Sequence, residues 1–509
     1  MKLMIKYCAV LAVFFALSGC SVVPKPYDNL ELQQRAADQA NRATADQEPV
    51  TKPVTLHEAM ARALKYNLIA TVQKLEVVQK QRLLELKNST QLPNLVAGLN
   101  YSGRNNYDGA SSRSLITGQP SFEVSTSSDR NVVTSDLNLS WNVLDFGLSY
   151  LRAQQAADQA LIARETRRMA LHSLLQEVRA TYWKAVAAER LSRGLATLKA
   201  KIKDVENSEQ VMEHKGTAPP LLALTYQREL IELQIELQKL LRDLVPAKTR
   251  LAALMNLPPS TDFKLSLAGG NAASFSGSLP VKQMITTALL HRPELRQAGY
   301  SERINEREAE AALLEILPSV APLLSVNYDS NSFVYENDWL AASAKASWNL
   351  MKLFSYHSKN AAIQAAKDTL DKKSLAATTA IIMQTCIAKL NYTQKKKYFY
   401  LARNLSKVEK KILQKMSTAY RTGTLSEHAL LRQKLKTLVA DTKRNISYSE
   451  YQAAFGTLAK SLGLDAGIDG IDEALPVKLI AETLASNWRV ISKNPTDISE
   501  FMTVSSISK

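Results

Sequence analysis

Residues 351–422 contain neither Gly nor Pro. Helices of ordinary globular domains average about 11–12 residues, so an uninterrupted run of this length is the strongest constraint on the fold. One helix through it would reach about 108 Å at 1.5 Å per residue. A helix that long outruns any local core and has to lie beside others in a coiled-coil-like bundle. A second run, from about Leu148 to Lys215, holds only Gly194 and no Pro. Both runs end in a short turn, Lys215-Gly216-Thr217 and Thr422-Gly423-Thr424, where Gly suits the left-handed end of a helix. Returning helices then extend to about Asn256 and Leu462. The pattern predicts two long helical hairpins with Gly at their tips.

The hairpins belong to an internal duplication. Ala63-Leu64, Arg82, Glu85 and Leu92-Pro93 meet Ala288-Leu289, Arg307, Glu310 and Leu317-Pro318 at a constant offset of 225. Further on the offset is 207: Trp141-Asn142 meets Trp348-Asn349, Gly216-Thr217 meets Gly423-Thr424, and Leu251 meets Leu458. The second copy is therefore 18 residues shorter between its Pro and Trp landmarks. This divides the chain into 1–19 (leader), 20–54 (N-terminal flank), 55–257 (first copy), 258–279 (linker), 280–464 (second copy) and 465–509. The last segment, with Gly467, Gly470 and Pro476, reads as a peripheral flank. Each copy is expected to run helix, two strands, very long helix, turn, returning helix. Thr55 is the expected N-cap of the first helix, with Glu58 at the capping-box position, and that helix is expected to continue to Leu92.

The strands alternate with period two. Leu137, Leu139, Trp141 and Val143 alternate with Asn138, Ser140 and Asn142. Leu340, Ala342, Ala344, Ala346, Trp348 and Leu350 alternate with Ala341, Ser343, Lys345, Ser347 and Asn349. Leu95, Ala97, Leu99 and Tyr101 share one face, as do Val320, Pro322, Leu324, Val326 and Tyr328. An ordinary half-buried antiparallel sheet gives the same alternation. Lys345 in mid-strand favours a watery lumen on the polar face, and Trp141, Trp348, Tyr101 and Tyr328 suit an aromatic girdle at a lipid interface. Four strands cannot close a membrane barrel, which needs about eight. Two chains would give a nearly filled barrel; three would give twelve strands and room for a channel.

The N-terminus reads as a processing signal. Lys2 and Lys6 precede an apolar stretch from Cys8 to Leu17, too short for a membrane-spanning helix, which needs about 20 residues. Leu17-Ser18-Gly19-Cys20 resembles a bacterial lipobox, which implies cleavage before Cys20, covalent lipid (palmitate among its acyl chains) on that residue, and export. Ser21 after it implies outer-membrane sorting, by resemblance to bacterial lipoproteins. With Cys20 acylated, Cys386 has no disulfide partner.

Taken in this order and twice over, these features resemble the TolC family of outer-membrane efflux and secretion channels. The resemblance covers about 55–464. It rests on Leu56-x-x-Ala59-x-x-x-Ala63-Leu64-x-x-Asn67, on Leu92-Pro93 before the first strand, and on Trp141-Asn142-Val143-Leu144-Asp145-Phe146-Gly147 entering the long helix. It implies a mainly α fold with a small β part. It also implies a homotrimer with a 12-stranded β-barrel in outer-membrane lipid, continued across the periplasm by a 12-helix α-barrel. The implied partners are a periplasmic adaptor docking near the tips and, through it, an inner-membrane transporter, in a tripartite efflux or type I secretion system. Gly216, Thr217, Arg421, Gly423, Thr424 and Leu425 are the expected periplasmic mouth and adaptor contact. Some members carry acidic rings there; this chain has Ala429 and Arg432 at those positions, so the rings are not carried over.

Other classes are weaker. The net charge of +16 is a common mark of nucleic-acid binding, but Lys395-Lys396-Lys397 falls within a long helix as a solvated face, and an exported protein does not meet nucleic acid. No His pair or Cys-x-x-Cys has metal-ligand spacing, no base–nucleophile arrangement appears, and neither enzyme activity nor a cofactor is expected. A lipid-anchored periplasmic coiled-coil scaffold without a pore would explain the helices but not the strands. A periplasmic adaptor would have one hairpin, not two.

Overall fold

The computed structural model describes residues 24–215, 220–258, 261–267, 274–275, 280–464 and 467–493. Cys20 and the leader, Gly216 and Thr217 of the first tip, and most of the 258–279 linker lie outside the described residues. The protein is mainly helical with a small sheet. Helix α1 (Asn29–Ala43) is followed by α2 (Leu56–Tyr66), α3 (Leu68–Ser89), β1 (Asn94–Gly103), a short hairpin β2 (Gly109–Ala110) and β3 (Ser125–Thr126), and β4 (Asn131–Ser140). Then come α4 (Val143–Lys215), α5 (Pro220–Leu244) and α6 (Pro246–Leu254). The second set is α7 (Val281–His291), α8 (Pro293–Leu314), β5 (Ser319–Asp329), β6 (Asp338–Ser347), α9 (Met351–Arg421) and α10 (Glu427–Ser461); α11 (Val477–Lys493) closes the chain. Helices α4 and α9 are 73 and 71 residues long.

Two sequence expectations about the first helix are corrected. Thr55 does cap α2, its Oγ1 accepting from Glu58 N at 3.2 Å. The Glu58 carboxylate, however, takes the Nε of Arg62 (3.3 Å), because Arg62 is buried and needs a counter-charge more than the helix end needs a second cap. Nor does the helix run through to Leu92. It breaks at Asn67, whose backbone is extended (φ −69°, ψ 119°). The Asn67 side chain accepts from Ile69 N and Ala70 N, starting α3, while its Nδ2 donates to Leu254 O at 3.1 Å. The equivalent position, Arg292, is also extended (φ −67°, ψ 128°), and Pro293 opens α8, as suits a residue whose missing N–H is not needed in the first turn. On the return, Pro246 removes one helix donor and divides α5 from α6. Helix α10 has no Pro and is continuous.

The core lies where the broken helices cross the long ones. Met60 and Ala63 of α2, Leu171, Val178 and Tyr182 of α4, Leu251 of α6, Met284 and Ala288 of α7, and Phe455 and Leu458 of α10 are buried together. Helix α11 belongs to the same cluster through Val477, Ile480, Leu484, Trp488 and Ile491. The C-terminal flank is thus not peripheral up to Lys493. Its Gly and Pro residues precede an amphipathic helix whose apolar residues recur at three- and four-residue spacing. Glu48 of the N-terminal flank fixes it, accepting from Val477 N (3.2 Å) while pairing with Lys65 (2.8 Å). The Lys65 partner is the first cause of a lowered Glu48 pKa.

A two-faced sheet and a helical tip as the candidate functional site

The four long strands form one antiparallel sheet in the order β1-β4-β5-β6. The register stacks the apolar positions: Leu95 faces Leu139, Leu137 faces Val326, Leu139 faces Leu324, and Leu324 faces Ala342. Directly opposed residues share a face, so one side of the sheet is almost wholly apolar. The other carries Asn100, Thr134, Asp136, Asn138, Ser325, Asn327, Ser343 and Lys345, with Lys345 opposite Ala321. Asn327 Nδ2 donates to Ser325 Oγ at 2.9 Å, and Asn138 Nδ2 bonds the Asp136 carboxylate.

Exposure runs opposite to that of a water-soluble sheet. Along β5 the apolar residues Val320, Pro322, Leu324, Val326 and Tyr328 are exposed, whereas Ala321, Leu323, Asn327 and especially Ser325 are shielded. Along β4, Val133, Leu137 and Leu139 are exposed, and Thr134, Asp136 and Asn138 are less so. Each strand has 10 or 11 residues, the length of about 9–11 residues that crosses a bilayer when tilted. Among the described residues, strands β1 and β6 have unpaired outer edges, which isolated proteins rarely leave open at this length.

The aromatic residues named from sequence sit at the two ends of the apolar face. Trp141 and Trp348 follow β4 and β6 at the helix-proximal end. Trp141 packs edge-on against Phe146 at 5.3 Å, and Trp348 Nε1 donates to Ile316 O at 2.9 Å. Tyr101 and Tyr328 lie at the far end, and the Tyr101 hydroxyl bonds Asn131 Oδ1 at 3.1 Å. From Val133, opposite Tyr101, to Trp141 the strand path is about 27 Å at 3.4 Å per residue. Trp339 was not foreseen: it pairs with Asn327 and so falls on the polar face.

The opposite pole is the turn between α9 and α10. Gly423 has φ +75°. Thr424 N donates to Ala419 O (3.0 Å) and Gly423 N to Tyr420 O (3.1 Å), the two bonds of a Schellman ending. Thr424 Oγ1 adds a third bond to Ala419 O (2.9 Å), and Ser426 Oγ accepts from Ala429 N (3.3 Å) to start α10. Arg421, Gly423 and Thr424 are exposed and Leu425 is half-buried; the Arg421 Nε donates to Ser417 O of its own helix, at 3.3 Å.

No protein-family model matches the chain, and no curated protein matches it significantly. Solved structures do. The outer-membrane channel OprN is 15% identical, with 83% of this chain covering 95% of that one at a TM-score of 0.59. The MtrE outer-membrane channel of Neisseria gonorrhoeae, in its open state, is 17% identical over 87% of this chain and 99% of its own, at 0.59. The CmeC outer-membrane channel of Campylobacter jejuni is 15% identical over 92% and 98%, also at 0.59. The fold is that of these outer-membrane channels. The resemblance to the TolC family therefore holds at the level of fold.

Within that fold, Arg432 has a defined role. Its Nη1 pairs with Glu229 of α5 at 2.7 Å and its guanidinium lies over Tyr226 at 5.4 Å, tying the two hairpins together. Arg432 is the first cause of a lowered Glu229 pKa. A second feature escaped the sequence reading. On α9, Met383, Ile387, Leu390, Leu401, Leu405, Val408 and Ile412 are spaced by three and four or their sums, and each is 40–67% exposed. That is a coiled-coil seam left about half exposed among the described residues.

Proposed function

We propose that this protein is the outer-membrane channel of an export system and works as a homotrimer. Three four-stranded sheets joined at the free edges of β1 and β6 make a 12-stranded barrel, with lipid outside and a polar lumen containing Lys345 and Asp136. The α9 seam closes the helical barrel in the same step, against a neighbouring protomer. The inner strands carry this reading: along β4 and β5 the apolar face is the exposed one and the polar face is shielded. A pore-free scaffold would leave that face in water. The conduit is passive. It extends from the outer membrane to the α9–α10 tip, where Arg421, Gly423, Thr424 and Leu425, with Gly216 and Thr217, form the mouth and meet a periplasmic adaptor carrying the inner-membrane transporter. A lipid on Cys20 adds an anchor beside the barrel.

Native mass spectrometry of the detergent-purified protein, followed by planar-bilayer recording, tests the proposal. A trimer with discrete conductance steps is expected; a monomer or a non-conducting trimer refutes it. Intact mass of the mature chain is expected to show an N-terminal Cys20 bearing diacylglycerol and an amide-linked acyl chain.

A further inference from the structure

Arg179 of α4 is fully buried, and no carboxylate pairs with it among the described residues. Its guanidinium lies between two aromatic faces, 4.4 Å from the Trp488 ring centroid and 5.1 Å from that of Phe455. The Nη1 donates to Gln452 Oε1 at a long 3.4 Å. Among the described residues the Nε and Nη2 have no acceptor, and neither does the indole Nε1 of Trp488. Arg179 and Trp488 line one small cavity together with His172, Gln176, Gly456 and Lys460. A side chain at Gly456 would crowd its wall, since a Cβ there would meet Arg179 Cδ at 3.3 Å and Gln176 Cγ at 3.4 Å.

Several observations restrict what this cavity takes. Burial draws the Arg179 pKa down, to about 10, which still leaves it charged at neutral pH. Aromatic faces return only about 2 kcal/mol to a desolvated cation, less than the several kcal/mol of burying it. The orphaned groups of Arg179 and Trp488 are all donors, two N–H groups of a cation and an indole N–H; His172 also lines the cavity and adds an imidazole nitrogen that can donate or accept. A water would accept from these donors, but it carries no charge to offset the buried cation. Lys460 adds a second cation on the lining; burial is the first cause of its lowered pKa, followed by the charge of Arg292. The space open to the centre of a water-sized sphere is ≈ 10 Å³, room for about one small occupant. Polyatomic anions are therefore too large.

We propose that the cavity holds one monatomic anion of the chloride class, accepting from the Arg179 guanidinium and the Trp488 indole. The anion neutralises the α4 cation where α4, α10 and α11 meet, and so locks the C-terminal helix onto the core. This site is independent of the channel reading and stands or falls without it.

The test uses the full chain in detergent. Crystals grown in sodium bromide are expected to show an anomalous peak beside Arg179 and Trp488. The unfolding midpoint is expected to rise with chloride to a plateau, against gluconate at equal ionic strength, and Arg179→Met should abolish that dependence. If Arg179→Met does not fold, the bromide peak and the chloride titration of the unaltered chain decide. A water-like peak without anomalous signal, or equal midpoints in chloride and gluconate, overturns the proposal.

Discussion

Gly423 offers the sharpest separation of local geometry from global stability. Its φ of +75° places it in the left-handed region, and a Cβ built there meets nothing within 4 Å. The cost of a side chain is therefore backbone strain alone, about 1–2 kcal/mol for an L-residue. Asn, which tolerates this region, should cost less than Ala, and β-branched Val more. The strain falls on the two bonds that close α9, Thr424 N to Ala419 O and Gly423 N to Tyr420 O. None of these residues belongs to the main core cluster, so the unfolding midpoint should stay in place. Hydrogen exchange at residue 424 should instead quicken by about tenfold for Gly423→Ala, as about 1.4 kcal/mol requires, with Asn between wild type and Ala. Export in a strain lacking the chromosomal copy should fall in the same order, and Gly423→Trp should abolish it while trimers still reach the outer membrane. Unchanged exchange in Gly423→Val, or normal export by Gly423→Trp, would refute the reasoning.

In a Cys386→Ser background, Lys345→Cys should react with a membrane-impermeant thiol reagent and Trp348→Cys should be protected; the reverse pattern means the sheet faces are exchanged. Leu401→Asp and Leu405→Asp, on the α9 seam, should convert trimer to monomer on native mass spectrometry while leaving helix content unchanged. His57 is held neutral by burial first and then by the charges of Arg179 and Arg489, with a pKa near 4 against an ordinary 6.5. Its unfolded form therefore takes up a proton first, so stability is full above about pH 6.5 and is lost as pH falls toward 4. The span corresponds to at most about 3 kcal/mol, and His57→Gln should flatten that slope in denaturant titrations between pH 4 and 7.

Sequence patterning carried the long elements and missed the interruptions, for a physical reason. The run 351–422 has no residue that stops a helix, and α9 fills it almost to its end. The Leu137–Val143 and Leu340–Leu350 alternations set the faces because a strand has period two whatever surrounds it. Asn67 and Arg292 carry no comparable signal. Asn67 ends α2 because its side chain is satisfied by Ile69, Ala70 and Leu254 at once, and the Leu254 carbonyl is 187 residues away. The burial of α11 is likewise tertiary: its apolar stripe was readable, but its site on α2 and its Glu48 cap were not. Arg179, in the middle of an ordinary helical pattern, gave no hint of its isolation from acids.

The interruptions recur where the two copies meet, and Gly463 shows why they cannot slide. It ends α10 with φ +72°, and a Cβ there would lie 2.7 Å from the His291 carbonyl oxygen and 3.0 Å from Arg292 N. The end of the returning helix is thus in backbone contact with the break between α7 and α8. Arg292, at that break, bonds Glu294 (2.6 Å) and Gln384 of α9 (3.0 Å). One contact therefore fixes the start of the second copy, its long helix and its return relative to one another. The core around the breaks is the well-packed part of the chain. The sheet at one pole and the Gly423 turn at the other are left to meet their surroundings: exposed apolar strands in one direction, a strained and solvent-exposed turn in the other.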